Sequence, residues 1–245
     1  MPRGAPDYSN VRAGEPLHRL DDMAELAARL GSPVTHHRGG YIVFLDSFES
    51  GIASWQTGTS GSGASITVSS QNKRTGAFSV KMVAGSNASR SAQISRAFPH
   101  PTETVYGFEV SVMFLSAPQY LILTLSKRDG TQEHQFQVMY MSVEKEIVVT
   151  IPGGSSVTVI DDIELFVGSG LFHTFKLIVD YENERYYSLT VDERTIDLSG
   201  YEPYTFNYSS SPHTNVVITV YSNAGENDTI YVDDVILTQG EYPFR

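Results

Sequence analysis

Gln135, Gln137, Lys176 and Tyr186 are the side chains best suited to hold a sugar, provided that the chain brings their strands together. Glycans are held by stacking a CH face on an aromatic ring while amides, hydroxyls and amines take the sugar hydroxyls. Along 172–181 and 185–191 the alternation assigns His173, Phe175, Leu177, Val179, Tyr187, Leu189 and Val191 to a core face. Lys176, Tyr186 and Ser188 then point the other way, beside Gln135 and Gln137. An ordinary solvated or subunit-facing sheet carries the same pattern, and both readings stay open. Other chemistry is less well provided for. His18, His36, His37, His100, His134, His173 and His213 show no metal-ligand spacing. No Gly-x-Ser-x-Gly elbow is present to activate a serine. Asp162 and Glu164 alternate within 159–166, and two such carboxylates, one acid and one nucleophile, are what retaining glycoside hydrolysis needs.

The elements that would position these residues are β-strands. From Tyr41 onward the apolar period is two, with β-branched and aromatic enrichment and turn residues every 8–12 positions. Strands are expected at 41–45, 65–69, 78–83, 92–98, 105–115, 120–126, 133–141, 146–151, 172–181, 185–191, 215–221 and 229–237. Asp129-Gly130 between two of them predicts a type I′ hairpin. Gly58 to Gly63 (Gly-Thr-Ser-Gly-Ser-Gly) is expected to be a flexible loop. The fold class that follows is all-β, an antiparallel β-sandwich over 41–245. Residues 1–40 form a separate arm: Pro2, Pro6, Pro16, Gly4 and Gly14 break any apolar face, and a short helix follows at about 21–30, stopped by Gly31.

The chain has 245 residues, 28 acidic against 17 basic side chains, a formal charge of −11 and no cysteine. Residues 1–45 are balanced, five arginines against five acids, and residues 46–245 hold 12 basic and 23 acidic residues. An acidic surface without Lys/Arg clusters excludes direct nucleic-acid binding as the expected role. Disulfides and thiolate metal sites are excluded outright. No run approaches the roughly 20 apolar residues of a membrane span, and Met1 to Tyr8 lack the plan of a signal peptide. A soluble product of the cytoplasm, with no membrane partner, is expected.

Phe48-Glu49-Ser50-Gly51 with Trp55, then Gly76-Ala77-Phe78-Ser79-Val80-Lys81, and finally Ile230-Tyr231-Val232-Asp233-Asp234-Val235 resemble carbohydrate-binding-module-like jelly rolls over about 46–240. Phe172 to Tyr181, continuing through Tyr187 to Asp192, resembles the paired strands of concanavalin A-like and laminin G-like sandwiches. The resemblance implies that the first and last strands meet and that Trp55 packs in the core. It also implies a structural calcium ion held by Asp46, Glu49 and one of Asp233 or Asp234, since calcium prefers carboxylate and carbonyl oxygens. Residues 159–166 resemble the acidic strand of jelly-roll glucanases, but Ile160 stands where that row has its first carboxylate. The chain is therefore expected not to be an enzyme.

Residues 1–11 together with 20–31 resemble the start of bacteriophage virion structural proteins. This implies a capsid decoration or tail-associated subunit. Its arm would dock through Tyr8, Leu17, Leu20, Met23, Leu26 and Leu30 on copies of itself or on other virion proteins, with the jelly roll facing outward. The alternative is a carbohydrate-binding module or lectin that attaches to cell-surface or polymeric glycans.

Overall fold

The computed structural model describes residues 40–99 and 104–241. The arm, its helix near 21–30, the contacts expected of Tyr8, Leu17, Leu20, Met23, Leu26 and Leu30, and the C-terminal residues 242–245 lie outside the described residues.

Among the described residues, alternating apolar residues with few helix formers give sixteen strands, sorted into two sheets. The first sheet contains β1 (Tyr41–Asp46), β3 (Ser65–Ser69), β4 (Ser79–Val83), β6 (Val105–Phe114), β11 (His173–Asp180), β12 (Arg185–Val191), β13 (Arg194–Asp197) and β16 (Thr229–Gln239). The second contains β2 (Gln56–Thr59), β5 (Ser91–Pro99), β7 (Tyr120–Arg128), β8 (Gln132–Met141), β9 (Glu146–Thr150), β10 (Ser156–Ile160), β14 (Tyr204–Asn207) and β15 (His213–Tyr221). Their orders are β13-β12-β11-β6-β16-β4-β3, with β1 also on β16, and β10-β9-β8-β7-β15-β5-β2, with β14 also on β8. The antiparallel sandwich is as expected, and so is the meeting of its ends: Asp46 of β1 pairs with Val235 of β16.

One continuous core fills the space between the sheets, built from Phe108, Val110 and Phe175 of the first and Leu123, Phe136 and Ile218 of the second. Each such side chain contributes about 1.5–3 kcal/mol on burial. Trp55 lies in this core beside Phe48, as the resemblance implied, and its indole N–H donates to Asp46 Oδ2 at 2.9 Å.

All twelve expected strands form. Four short ones were not foreseen: β2, β10, β13 and β14. Gly58 therefore belongs to a strand, not to a flexible loop. The hairpin at Asp129 forms, but not as type I′: of its two turn residues only Gly130 has positive φ. Asp129 instead caps the turn with its side chain, Oδ1 accepting the N–H groups of Thr131 and Gln132 at 2.8 Å. A second correction concerns β12. The register with β11 slips so that Ile178 faces Ser188 and Val179 faces Tyr186, leaving Tyr187 as the extra residue of a bulge. Tyr186 consequently turns into the core, where Tyr187 was expected.

Candidate functional site

The second sheet has one face in the core and one turned away from it. On the turned-away face the strand registers align side chains in rows that cross the sheet. One row reads Gly58, Gln93, Thr219, Ile122, Met139, Val148. The next reads Gln56, Ser95, Val217, Thr124, Gln137, and the third Ala97, Asn215, Ser126, Gln135, Tyr204. A fourth, at the end of the strands, reads Pro99, His213, Arg128, Glu133, Phe206. Between these positions lie the core residues Ile94, Val216, Leu123, Leu125, Phe136 and Val138, which is why alternation sends the polar set outward.

Hydrogen bonds fix several of these groups. Thr150 donates to Gln137 Oε1 at 2.8 Å, and Gln137 Nε2 donates to Thr124 at 3.3 Å, so the amide is locked in one orientation. Thr219 donates to Gln93 Oε1 at 3.3 Å. In contrast the amides of Gln56 and Asn215 make no hydrogen bond to another described residue. The Ser126 hydroxyl, between Asn215 and Gln135, is buried without a partner. Along the margin, Tyr204 and Phe206 stack at 5.2 Å, Tyr208 meets Phe206 edge-on at 6.3 Å, and the Arg128 guanidinium lies 4.4 Å over the Tyr208 ring. The arrangement offers hydroxyl-binding amides beside an aromatic wall.

Gln135 and Gln137 therefore sit where the sequence placed them, on one outward face. Lys176 does not join them. It points away from the core of the other sheet, where it is buried and paired with Glu241 at 2.9 Å. Tyr186 does not join them either. It is a core residue whose hydroxyl accepts the Gln137 N–H at 2.8 Å and donates to the Thr150 carbonyl at 2.7 Å, tying the two sheets together. Burial pushes its phenol well above the usual range. Asn215 and the aromatics of β14 are the partners that sequence reasoning missed. Their signal was present in the period-two aromatics of Tyr204-Thr205-Phe206-Asn207-Tyr208.

The four acids assigned to calcium hold protein donors instead. Asp46 accepts the Phe48 N–H and the Trp55 indole; Glu49 Oε1 accepts the N–H groups of Ala77 and Phe78 at 2.8 and 2.9 Å. Asp233 Oδ2 accepts the N–H groups of Arg74 and Thr75, and Asp234 takes the Thr75 hydroxyl at 2.7 Å and the Arg74 guanidinium at 3.3 Å. A cation already sits on this pair, and the oxygens face N–H groups. Among the described residues no three His, Asp or Glu side chains are placed to hold a metal. These acids do not fit a calcium ion. Asp46 ties the turn after β1 to Trp55, while Glu49, Asp233 and Asp234 hold residues 74–78. Burial, reinforced by the neighbouring Asp234 charge, pushes Asp233 up to about 7. Asp162 and Glu164 fall outside the strands, and Glu164 pairs with Lys145 at 2.8 Å on the surface.

No protein-family model and no curated protein matches this sequence. Solved structures do. Cellulose induced protein Cip1 is 14% identical with a TM-score of 0.57, the match covering 82% of this chain and 100% of that one. The potassium-bound Emp46p carbohydrate recognition domain is 10% identical with a TM-score of 0.51, covering 84% and 97%. A carbohydrate esterase from Shiga toxin-encoding bacteriophage phi24B is 13% identical with a TM-score of 0.51, covering 82% and 100%. At such identities the likeness is one of fold. The chain has a carbohydrate-binding-module-like, concanavalin A-like jelly roll, an architecture that also carries an esterase. No helix among the described residues is long and apolar enough to cross a membrane.

Proposed function

We propose that this protein binds glycans on the outward face of its second sheet, with Asn215, Gln135 and Gln137 taking sugar hydroxyls and Tyr204 stacking on a sugar ring. The observation that carries the reading is the convergence on one surface of the unpartnered Asn215 amide, the two oriented amides of Gln135 and Gln137, a buried unpartnered hydroxyl and an aromatic wall. Fold-level likeness to a carbohydrate recognition domain supports it. Screening the full-length chain on immobilised glycans tests it. Binding that falls at least tenfold in Asn215→Ala and Tyr204→Ala, with unchanged circular dichroism, is expected; binding indifferent to both would sink the assignment to this face.

The setting proposed is a bacteriophage particle, with the protein as a non-enzymatic capsid decoration or tail-associated subunit. The resemblance of residues 1–11 and 20–31 to virion structural proteins supports this, together with the shared fold of the phage esterase. Docking through the arm, and self-association with it, are part of the same proposal. Full-length protein is expected to form larger particles by light scattering than a chain beginning at Tyr41. Equal sizes would remove the arm from assembly. Incubation with acetylated and unacetylated polysaccharides is expected to release neither acetate nor new reducing ends, and release of either would make the protein an enzyme.

A further inference from the structure

Resting on the glycan-binding reading, we infer that the ligand is an uncharged linear polysaccharide lying across the strands, and that the same face turns polyuronates away.

The argument starts from charge. Acids outnumber bases by 28 to 17 in the whole chain. Yet the three rows from Gly58 to Val148, from Gln56 to Gln137 and from Ala97 to Tyr204 contain no charged side chain. Charges appear only at the two ends of the strands: Glu146 beside Met141 at one end, where it takes the Thr158 hydroxyl, and at the other a row whose charges are already matched. Arg128 Nε donates to Glu133 Oε2 at 2.8 Å, its Nη1 meets His213 Nε2 at 3.1 Å, and its plane covers the Tyr208 ring. Gln135 donates to the other Glu133 oxygen at 3.1 Å. The one guanidinium on this face is thus neutralised and sterically engaged.

A uronate lying on the central rows would bring a carboxylate against amides and hydroxyls with no cation to meet it. It would lose water without gaining a counter-charge, inside the field of a protein with net negative charge. A neutral sugar incurs neither penalty. Its hydroxyls both donate and accept, which suits amides that do the same.

Length and direction come from the register. The row Ala97, Asn215, Ser126, Gln135, Tyr204 crosses five neighbouring strands. At about 4.8 Å per strand it spans about 19 Å. That suits a run of several sugars better than a single one. Along this line the unpartnered Asn215 amide and Ser126 hydroxyl come first and the Tyr204 ring last, so the chain crosses polar groups and ends against the aromatic wall.

The test uses the full-length protein in isothermal titration at low salt. The probes are neutral β-linked gluco-, galacto- and manno-oligosaccharides on one side, and oligomers of galacturonate and mannuronate on the other. Binding is expected for at least one neutral series, tightening with chain length up to several sugars, and absent for both uronates. Asn215→Asp adds charge without changing shape, and Gln135→Glu does so while also setting a carboxylate against Glu133; each is expected to weaken neutral binding by tenfold or more, and circular dichroism checks that each variant folds. Uronate binding that equals or exceeds neutral binding overturns the inference and leaves the glycan reading standing. Full affinity in both charged variants also overturns it. Binding of neither class overturns the glycan reading itself.

Discussion

Tyr186 shows how one hydroxyl can hold a sandwich together. It leaves the first sheet, crosses the core, and satisfies the Gln137 N–H and the Thr150 carbonyl on the second. Tyr186→Phe keeps the ring and removes those partners, leaving buried backbone groups unsatisfied. A loss of about 1–3 kcal/mol is expected in urea unfolding, with an unchanged m-value; an unaltered midpoint would show that the hydroxyl contributes nothing. Asp233 gives a pH signature. Its carboxyl is raised from about 3.8 to about 7 in the folded state, by burial first and the Asp234 charge second. Between those values the folded chain holds a proton that the unfolded chain has lost. Stability should therefore fall as pH rises from about 4 to about 7. Thermal melts across that range test this, and Asp233→Asn should flatten the slope even though its amide suits the surrounding N–H donors poorly. A slope identical in both proteins would assign the effect elsewhere.

Residues 70–78 are held as an element by carboxylates from β16 and from the turn after β1. Glu49 reaches beneath this segment so closely that a Cβ on Gly76 would lie 2.2 Å from its Oε1, and Gly76 has φ +61°. Gly76→Ala should therefore strain the backbone and displace the carboxylate that the Ala77 and Phe78 N–H groups require. A loss above about 1 kcal/mol is expected, with faster hydrogen exchange at Ala77 and Phe78. Unchanged exchange at both amides would contradict the clamp. On the other sheet, β14 depends on a different tie: His134 Nδ1 meets the Thr205 hydroxyl at 3.1 Å behind the aromatic wall. The wall stands where it does because alternation turns Thr205 inward and Tyr204 and Phe206 outward.

Ligand binding couples these elements in the molecule as a whole. A glycan that binds only the folded sheet face should stabilise the protein by about 2.7 kcal/mol when supplied at one hundred times its dissociation constant. For a chain of this size that corresponds to a rise of roughly 5–10 °C in Tm. Differential scanning fluorimetry with a neutral oligosaccharide checks the value. At the same sugar concentration a tenfold loss of affinity in Asn215→Asp should cut the rise to about half, and equal shifts in both would place the ligand on another surface.

Twelve strands were legible in the sequence, because burial of one strand face imposes a period of two that needs no distant information, while the meeting of the chain's two motif-bearing ends and the core position of Trp55 were legible only through the resemblance of those motifs to jelly rolls. Gln135 and Gln137 were legible through the same period of two. Four short edge strands were not, since at four or five residues each they bury little, and even the alternation of β10 and β14 is too brief to stand out. The side to which Tyr186 points depended on a one-residue bulge, and a bulge inverts every parity beyond it. Whether the acids of β16 and its neighbours met an ion or Arg74 depended on how residues 70–78 fold back over them. Which residues share a face across five strands was decided by registers between segments more than a hundred residues apart, and only the tertiary structure sets those.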